Sequence, residues 1–383
     1  MEGNKTMAKM VPVMLTFFVM GFVDLIGIAT NYVKQDFSLS DTAASTFSVM
    51  LYFWFLVFSV PTGMLMNKIG RKKTVLLSMV VTLLSLVCPL INYSKLSMFI
   101  AVSLLGIGNT LMQVSLNPLM ASLVAPEKQP SFLTLGQFIK AIASFLAPIV
   151  AVQAALRFGD WKILFLAFAI INIIALIYLY AVDIKENDEK KEVSSFLDCV
   201  KMLGQGMILL LFIGIIMHVG IDVGINITAP KVLQERSGMT LDQAGYATSL
   251  YFLCRTIGCL SGSVIMSKFS PTRFFTISVI MILLGLVGLL LGHSVPMIYV
   301  CIGLIGFGNS NVFPVIFSSA LRYLPVKANE ISGLMIMGIS GGALIPLVMG
   351  AASDAMASQI GALLVLLICV SYLIFLNFKL SKI

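Results

Sequence analysis

The stretch GIGNTLMQVSLNP, Gly106–Pro118, sits inside a long apolar run and yet carries three amide side chains. Asn109, Gln113 and Asn117 follow one another at intervals of four residues, which places them on one stripe of a helix. Pro118 has no backbone N–H, so we expect it to leave nearby backbone groups without their helical hydrogen bonds. Polar groups at membrane depth are costly, and a stripe of them therefore predicts either a binding surface or buried contacts between helices.

This stretch recurs two hundred residues later in the chain. LLGIGN at Leu104–Asn109 and LIGFGN at Leu304–Asn309 differ at two of six positions. Asp24 and Asp222 lie 198 residues apart, and three further pairs of segments recur with offsets of 199 to 201: Leu39–Ala43 with Thr240–Ala244, Tyr52–Phe53 with Tyr251–Phe252, and Met66–Lys68 with Met266–Lys268. Two membrane halves in parallel repeat, with a polar site between them at the midplane, are typical of secondary transporters.

The composition excludes an ordinary soluble domain. Of 383 residues, 59% are hydrophobic and 11% are charged, and the mean hydropathy is +1.01. Soluble domains contain about 25% charged residues. The net charge of +8 does not indicate nucleic acid, because the basic residues lie in short loops between apolar runs.

The apolar runs predict an all-α integral membrane protein with twelve transmembrane helices. We place the spans at 10–32, 42–66, 74–93, 98–123, 131–156, 161–182, 204–230, 242–267, 272–291, 297–321, 328–352 and 358–379. The predicted organisation is an N-terminal six-helix bundle at 1–182, a cytoplasmic linker at 183–203, and a C-terminal six-helix bundle at 204–383. The C-terminal part of the charged linker can form a short amphipathic helix on the membrane surface.

Loop charge predicts the orientation. Seventeen basic residues lie at the termini and in even-numbered loops, against six in odd-numbered loops: Lys34, Lys95, Arg157, Lys162, Lys231 and Arg236. The positive-inside rule then places both termini in the cytoplasm.

Two sets of motifs carry a resemblance to a known family. GMLMNKIGRKK at Gly63–Lys73 resembles the loop 2–3 signature of the major facilitator superfamily, with Asn67 where that signature has aspartate. Within the superfamily, the chain resembles the fucose:proton symporter family, which includes glucose/galactose carriers. That resemblance rests on LNPL (Leu116–Leu119), YFLCRTIG (Tyr251–Gly258), GNSNVFPVIF (Gly308–Phe317) and the helix 11 motifs at Gly341–Pro346 and Met349–Gly350. It implies the major facilitator fold and transport of a sugar with a cation.

The chain departs from that family at three positions. Gln113 stands where the family has a helix 4 glutamate, and Lys140 stands where an asparagine is usual in helix 5. Asp24 lies one turn before the place of the family's helix 1 acid, which falls near Gly27.

The candidate site residues fall into three sets. The predicted substrate-binding set is Gln113, Asn117, Gln137, Lys140, Asn226, Asn309 and Asn311. Asp24, Asp222 and His218 are predicted to couple transport to an ion, because charged groups within spans usually face a cavity. Arg255 and Arg71 are assigned gating or structural roles. Lys140 either neutralises an aspartate or meets an anionic group on the substrate, and the amides are either sugar ligands or contacts between helices.

The sequence does not favour an enzyme or a metal protein. GISGG at Gly338–Gly342 satisfies the pattern G-x-S-x-G, but it lies in a glycine-rich helix without a strand-to-helix elbow. The six cysteines show no metal-ligand spacing. A substrate sensor with a carrier fold is the remaining alternative from another class, and it would need an appended cytoplasmic domain.

We therefore expect a monomeric symporter in the cell inner membrane that imports a small polar solute, most simply a monosaccharide. It would work by alternating access, with H⁺ or Na⁺ as the coupling ion and no cofactor, catalytic residue or resident metal. Its expected partners are the solute and the lipid bilayer. The alternatives are an organic-anion or sugar-acid carrier that uses Lys140 and Arg255, and a drug exporter, which fits poorly with so many amides.

Overall fold

The structure is a computed structural model, and it describes residues 2–39, 41–184, 195–239 and 241–380. Within these residues every regular element is a helix. The helices up to the linker are α1 Glu2–Met20, α2 Leu25–Asp36, α3 Asp41–Ile69, α4 Arg71–Ile91, α5 Lys95–Ser122, α6 Gln129–Phe158, α7 Ile163–Ala181 and α8 Phe196–Lys201. The later helices are α9 Gly206–Ser237, α10 Leu241–Ala244, α11 Tyr246–Met266, α12 Pro271–Leu291, α13 Val295–Asn309, α14 Val312–Tyr323, α15 Ala328–Met337, α16 Gly341–Met356 and α17 Ile360–Leu380.

The number of membrane spans differs by one from the prediction. Eleven helices of the described residues are long and apolar enough to cross a membrane. The predicted first span, 10–32, is not among them and is divided into α1, a 3₁₀ turn at Gly21–Asp24, and α2. Two further predicted spans contain breaks, at Ser310–Asn311 between α13 and α14 and at the 3₁₀ turn Gly338–Ser340 between α15 and α16.

Contacts divide the chain into two compact units. Unit 1 contains Met1–Ala125, Ile139–Val200 and Leu324–Met337, and unit 2 contains Pro126–Phe138, Lys201–Tyr323 and Gly338–Ile383. The predicted division into bundles at 1–182 and 204–383 stays a prediction. Residues 185–194 of the predicted linker lie outside the described residues, and the short helix α8 follows them.

Each unit is built around one largely buried helix. In unit 1, α5 packs against α3 and α4, while α7 packs against α1 and α4. In unit 2, α13 packs against α11 and α12, while α9 packs against α16 and α17. The apolar surfaces that the remaining helices expose are consistent with a lipid environment.

The repeated glycines explain why both halves contain the same motif. A Cβ added at Gly108 would lie 2.6 Å from Thr82 Oγ1 of α4, and one added at Gly308 would lie 2.6 Å from the Ser278 carbonyl oxygen of α12. No larger side chain fits such an approach without moving a helix, because small residues are what allow membrane helices to pack closely. The motif at Leu104–Asn109 and Leu304–Asn309 therefore fixes the position of the central helix of each unit.

Candidate functional site

A break in the first helix of unit 1 is held by its neighbours. The 3₁₀ turn Gly21–Asp24 follows Met20, whose carbonyl oxygen accepts a hydrogen bond of 2.8 Å from Asn109 Nδ2 of α5. A Cβ on Gly21 would lie 2.5 Å from the Lys140 carbonyl oxygen of α6. Glycine thus lets two backbones touch, and the Asn109 amide supplies a donor to the carbonyl at the break.

The amide stripe of α5 forms a short ladder. Gln113 Nε2 donates to Asn109 Oδ1 at 2.7 Å, and Asn117 Nδ2 donates to the Gln113 carbonyl oxygen at 2.7 Å. All three side chains are buried. Asn117 Oδ1 has no hydrogen-bond partner among the described residues. The structure therefore joins Asn109 to Gln113 side chain to side chain, whereas Asn117 bonds back to its own helix.

Asp24 lies at the end of the break and contacts α6. Ser144 Oγ donates to Asp24 Oδ2 at 2.5 Å and lies 3.1 Å from the Lys140 carbonyl oxygen. Asp24 is exposed and Lys140 is half-buried. Within the described part of the chain Lys140 forms no ion pair, so the structural pairing of Lys140 with an aspartate, left open by the sequence, is not seen. Gln137 is half-buried on α6, in the segment that belongs to unit 2.

Unit 2 contains a connected cluster of ionisable and amide groups around Asp222. Tyr251 Oη donates to Asp222 Oδ1 at 2.5 Å, and Arg255 Nη1 lies 3.0 Å from Asp222 Oδ2. Asn309 Nδ2 donates to Tyr251 Oη at 3.0 Å and to Asp222 Oδ1 at 3.4 Å. Asn309 Oδ1 lies 2.9 Å from His218 Nδ1. We name these five residues the Asp222 cluster.

Three members of the Asp222 cluster are almost fully enclosed. His218 is 3% exposed, Tyr251 is 1% exposed and Asn309 is 0% exposed. Because the Asn309 amide nitrogen faces Tyr251 and Asp222, its oxygen faces the histidine, and the network assigns the hydrogen to Nδ1 of His218. His218 does not bond Asp222 directly, and its link to the carboxylate runs through Asn309.

The two remaining predicted amides make mainly backbone contacts. Asn226 Nδ2 donates to the Asp222 carbonyl oxygen at 2.7 Å. Asn311 Nδ2 donates to the Gly258 carbonyl oxygen at 3.1 Å, and a Cβ on Gly262 would collide with Asn311 Oδ1. This geometry gives Asn311 a packing role between α11 and the break before α14.

Arg71 belongs to a separate polar network in unit 1. Arg71 Nε donates to Asn329 Oδ1 at 2.7 Å, and its Nη1 donates to the Pro118 carbonyl oxygen at 3.3 Å. Asn329 Nδ2 donates to Asn67 Oδ1 at 2.7 Å, and Asn67 Nδ2 donates to Glu330 Oε1 at 2.8 Å. The loop 2–3 motif thus holds the start of α15 against the end of α5.

The backbone groups freed by proline find side-chain donors. Pro118 leaves the carbonyl oxygen of Val114 without its helical donor, and Ser332 Oγ donates to that oxygen at 2.6 Å. Pro230 does the same for Asn226, whose carbonyl oxygen accepts from Thr248 Oγ1 at 3.3 Å. α5 continues through Pro118 to Ser122, so this proline does not end the helix.

A loop cluster of unit 1 contains titratable groups that lie outside the spans. Asp36 Oδ2 accepts from Tyr93 Oη at 2.6 Å and from Trp161 Nε1 at 3.0 Å. Burial, together with the carboxylate of Asp36, raises the pKa of Tyr93. The pKa of Asp160 is lowered, because its hydrogen bonds and charge attraction to Lys162 outweigh the opposing effect of burial. This cluster joins three loops of the unit and has no member among the predicted site residues.

The sequence reasoning missed several residues of these networks. Tyr251 lies inside two of the motifs quoted above, the repeat with Tyr52 and the run YFLCRTIG, but it was not assigned to the site. Asn109 lies on the predicted amide stripe but is not among the predicted site residues. No sequence motif points to Ser144. Glu330 is buried at 2% exposure, although it lies near the end of a predicted span.

Comparisons with known proteins agree with the fold. The family model for the Major Facilitator Superfamily matches residues 13–346 and 210–381. A glucose/galactose transporter from Brucella abortus biovar 1 (strain 9-941) is 28% identical over 395 residues, covering 96% of this chain and 93% of that protein. A solved structure of the E. coli fucose:proton symporter FucP has a TM-score of 0.83 at 16% identity, covering 96% of this chain and 97% of the other. The proton:xylose symporter XylE, solved with 6-bromo-6-deoxy-D-glucose, has a TM-score of 0.77 at 14% identity, covering 100% and 96%.

The family and these relatives are transporters and not enzymes. The apolar helices of the described residues agree with a multi-pass membrane protein that carries a small-molecule substrate. With the family model covering most of its length, the chain belongs to the major facilitator superfamily.

Proposed function

We propose that the chain imports a monosaccharide together with protons, by alternating access of two six-helix bundles. Support comes from the relatives, which are named as a glucose/galactose transporter, a fucose:proton symporter and a proton:xylose symporter. The single observation that carries the coupling part of the proposal is the Asp222 cluster, a carboxylate within a membrane span that contacts both a tyrosine and an arginine.

The surroundings of Asp222 favour a proton over a sodium ion. Hard metal cations are bound by several oxygen acceptors at once. The groups aimed at this carboxylate are the hydroxyl of Tyr251, the amide nitrogen of Asn309 and the guanidinium of Arg255, all of which are donors. A proton needs only one carboxylate oxygen, whereas Na⁺ would have to displace the arginine and find further ligands.

Arg255 provides the link between protonation and conformation. While Asp222 is ionised, the ion pair holds α11 against α9. Protonation removes that attraction and leaves the guanidinium free to take another partner. An ion can shift a conformational equilibrium only if it binds the two states with different affinities. The competition between the proton and Arg255 for Asp222 supplies this difference in affinity.

Sugar recognition is assigned to the amides and to the α6 groups. Gln113, Gln137 and Asn309 offer amide donors and acceptors suited to hydroxyls, and Lys140 adds an ammonium that only donates. Asn117, Asn226 and Asn311 stay in the predicted set with weaker support, because their amide nitrogens serve mainly the backbone. Asp24 is the second coupling candidate, held by Ser144.

We place the protein as a monomer in the lipid bilayer of the cell inner membrane, with both termini in the cytoplasm and with no cofactor besides the coupling ion. The support for this orientation is the excess of basic residues at the termini and in even-numbered loops. Reporter fusions at either end test it, and a terminus outside the cell would contradict it.

Uptake by purified protein in proteoliposomes tests the function. Labelled D-glucose, D-galactose and L-fucose are offered with an imposed pH gradient, with a sodium gradient, and with neither. We expect accumulation that follows the pH gradient. Accumulation that follows the sodium gradient alone would refute the proton assignment. If the protein takes up none of these sugars and none of the sugar acids tested below, the proposed function is refuted.

A further inference from the structure

Lys140 is a cation inside a membrane span whose charge the described protein does not neutralise. It lies in the span Pro126–Phe158 and is half-buried. Arg255, the other basic residue that the sequence places within a span, is paired with Asp222 at 3.0 Å. Among the described residues, Lys140 has no such partner. Charges at membrane depth are costly and are normally met by a counter-charge, so this lysine needs an anion from another source.

Asp24 is a candidate counter-ion for Lys140, and its carboxylate is hydrogen-bonded to another residue. The contact of Gly21 with the Lys140 carbonyl oxygen brings the helix break and α6 together. Asp24 nevertheless accepts its hydrogen bond from Ser144 and not from the lysine ammonium. The two charges therefore stay apart, and each keeps capacity for a bound molecule: an ammonium for an anion and a carboxylate for hydroxyl groups.

The amide ladder of α5 also contacts this break. Asn109 donates to the Met20 carbonyl oxygen directly before Gly21, and Gln113 donates to Asn109. The break in helix 1 thus contacts both the amide stripe of α5 and the backbone of the α6 segment that carries Lys140. A ligand that satisfies all of these groups carries several hydroxyls and one negative charge.

We propose that the transported monosaccharide is a sugar acid, a uronate or an aldonate, whose carboxylate binds the ammonium of Lys140. This inference rests on the proposed function and narrows its substrate class. A lysine ammonium has three donors and binds a carboxylate as a point charge, while the amides and Asp24 bind the hydroxyls. While Asp222 is ionised, Arg255 is paired with it at 3.0 Å, whereas Lys140 has no ion pair among the described residues.

The charge of the substrate changes the energetics of symport. One proton moving with a monoanion carries no net charge, so the membrane potential contributes nothing to accumulation. One proton moving with a neutral sugar carries one positive charge, and about 100 mV would then add a factor of roughly fifty to the accumulation ratio. The dependence of the accumulation ratio on the membrane potential therefore reports the charge of the transported substrate. A lysine with a merely structural role would not affect this readout.

The test uses the full-length protein in proteoliposomes with an inward pH gradient. Labelled D-glucuronate and D-gluconate are compared with D-glucose and D-galactose, with and without a potassium–valinomycin potential. We expect uptake of the acids to be half-maximal at lower substrate concentrations than uptake of the neutral sugars. We also expect the membrane potential to have no effect on accumulation of the acids. Lys140→Gln should raise the KM for the acids by roughly ten- to a hundredfold, the value of a charge-assisted hydrogen bond, and Lys140→Arg should lose less.

Lys162→Gln is the matched control, because Lys162 pairs with Asp160 in a loop and should leave uptake of the acids unchanged. If wild-type protein accumulates neutral sugars and the acids neither enter nor compete, the sugar-acid inference is overturned while the proposed function stands. If Lys140→Gln takes up the acids like wild type, Lys140 is not their binding group. If neither class enters, the proposed function itself fails, and the inference fails with it.

Discussion

Replacing Asp222 by asparagine tests the coupling scheme most directly. Asp222→Asn keeps the size of the side chain and an oxygen that can accept the hydroxyl hydrogen of Tyr251, but it removes the charge that faces Arg255. We expect the variant to lose accumulation against a gradient and to keep exchange of substrate at equal concentrations. The reason is that the proton then no longer biases the conformational equilibrium, while the substrate groups of unit 1 are unchanged.

The size of the effect follows from the linkage between protons and substrate. One pH unit is worth about 1.4 kcal/mol per proton. An inward gradient of about two pH units therefore sustains up to roughly a hundredfold accumulation at one proton per substrate, and an uncoupled carrier reaches a ratio of about one.

The variant should also fold. Removing one partner of a fully buried ion pair costs about 3–5 kcal/mol. The side chains of Arg255 and Asp222 are 25% and 16% exposed, so the pair is not fully buried and we expect a smaller cost. Size-exclusion profile and melting temperature check this before transport is measured.

The assay measures the steady-state accumulation ratio under the pH gradient and the exchange rate without it, in the same proteoliposomes. Asp160→Asn is the control, because it removes one carboxylate from a loop ion pair and should keep full accumulation. Accumulation by Asp222→Asn at the wild-type ratio would refute the reasoning, and the coupling acid would then be sought at Asp24.

Three further predictions concern binding, packing and chemical reactivity. Gln113→Ala removes a buried amide that we assign to the substrate, so a hydroxyl of the bound sugar is left without its partner. Substrate binding should then weaken by about 1–3 kcal/mol in a calorimetric titration, and equal affinity would contradict a role in the site. Gly21→Val places a Cβ 2.5 Å from a backbone oxygen of α6. The melting temperature should therefore fall by the amount expected for about 1–3 kcal/mol of overpacking. Gly204→Ala is the control, because a Cβ at Gly204 has open space and should leave the melting temperature unchanged. Burial, followed by the charge of a nearby carboxylate, raises the pKa of Cys199 to about 11, so its thiol stays protonated at neutral pH. Maleimide labelling, read by mass spectrometry, should therefore be slow at pH 7 and should become faster as the pH approaches 11. Rapid labelling at pH 7 would contradict this prediction.

Much of the helical layout is predictable from hydropathy and charge. The predicted spans 98–123 and 272–291 correspond to Lys95–Ser122 and Pro271–Leu291. The helix breaks at 21–24, 310–311 and 338–340 are not predictable in this way, because a broken helix is as apolar as a continuous one. Each break depends on a partner elsewhere in the chain, as the Asn109 amide that bonds the Met20 carbonyl shows.

The members of the candidate site are harder to predict than the helices that carry them. Asp222, His218, Asn309 and Arg255 stand out in sequence because they are polar groups in apolar runs, and the structure joins all four. Tyr251 does not stand out, since an aromatic residue in a span is usually a packing residue. Its role becomes visible only when its hydroxyl is seen between Asp222 and Asn309.

The two copies of the central motif show how the halves have diverged. Asn109 and Asn309 occupy equivalent places in the repeat, 200 residues apart. In unit 1 this amide donates to a backbone carbonyl and accepts from Gln113, so the whole ladder is neutral and cannot titrate. In unit 2 the equivalent amide lies among a histidine, a tyrosine and Asp222, so the same position is connected to ionisable side chains. A neutral ladder suits hydroxyl recognition at any pH, whereas an ionisable cluster suits proton binding. The divergence of one repeated amide is therefore the physical reason for assigning sugar recognition mainly to unit 1 and proton coupling to unit 2.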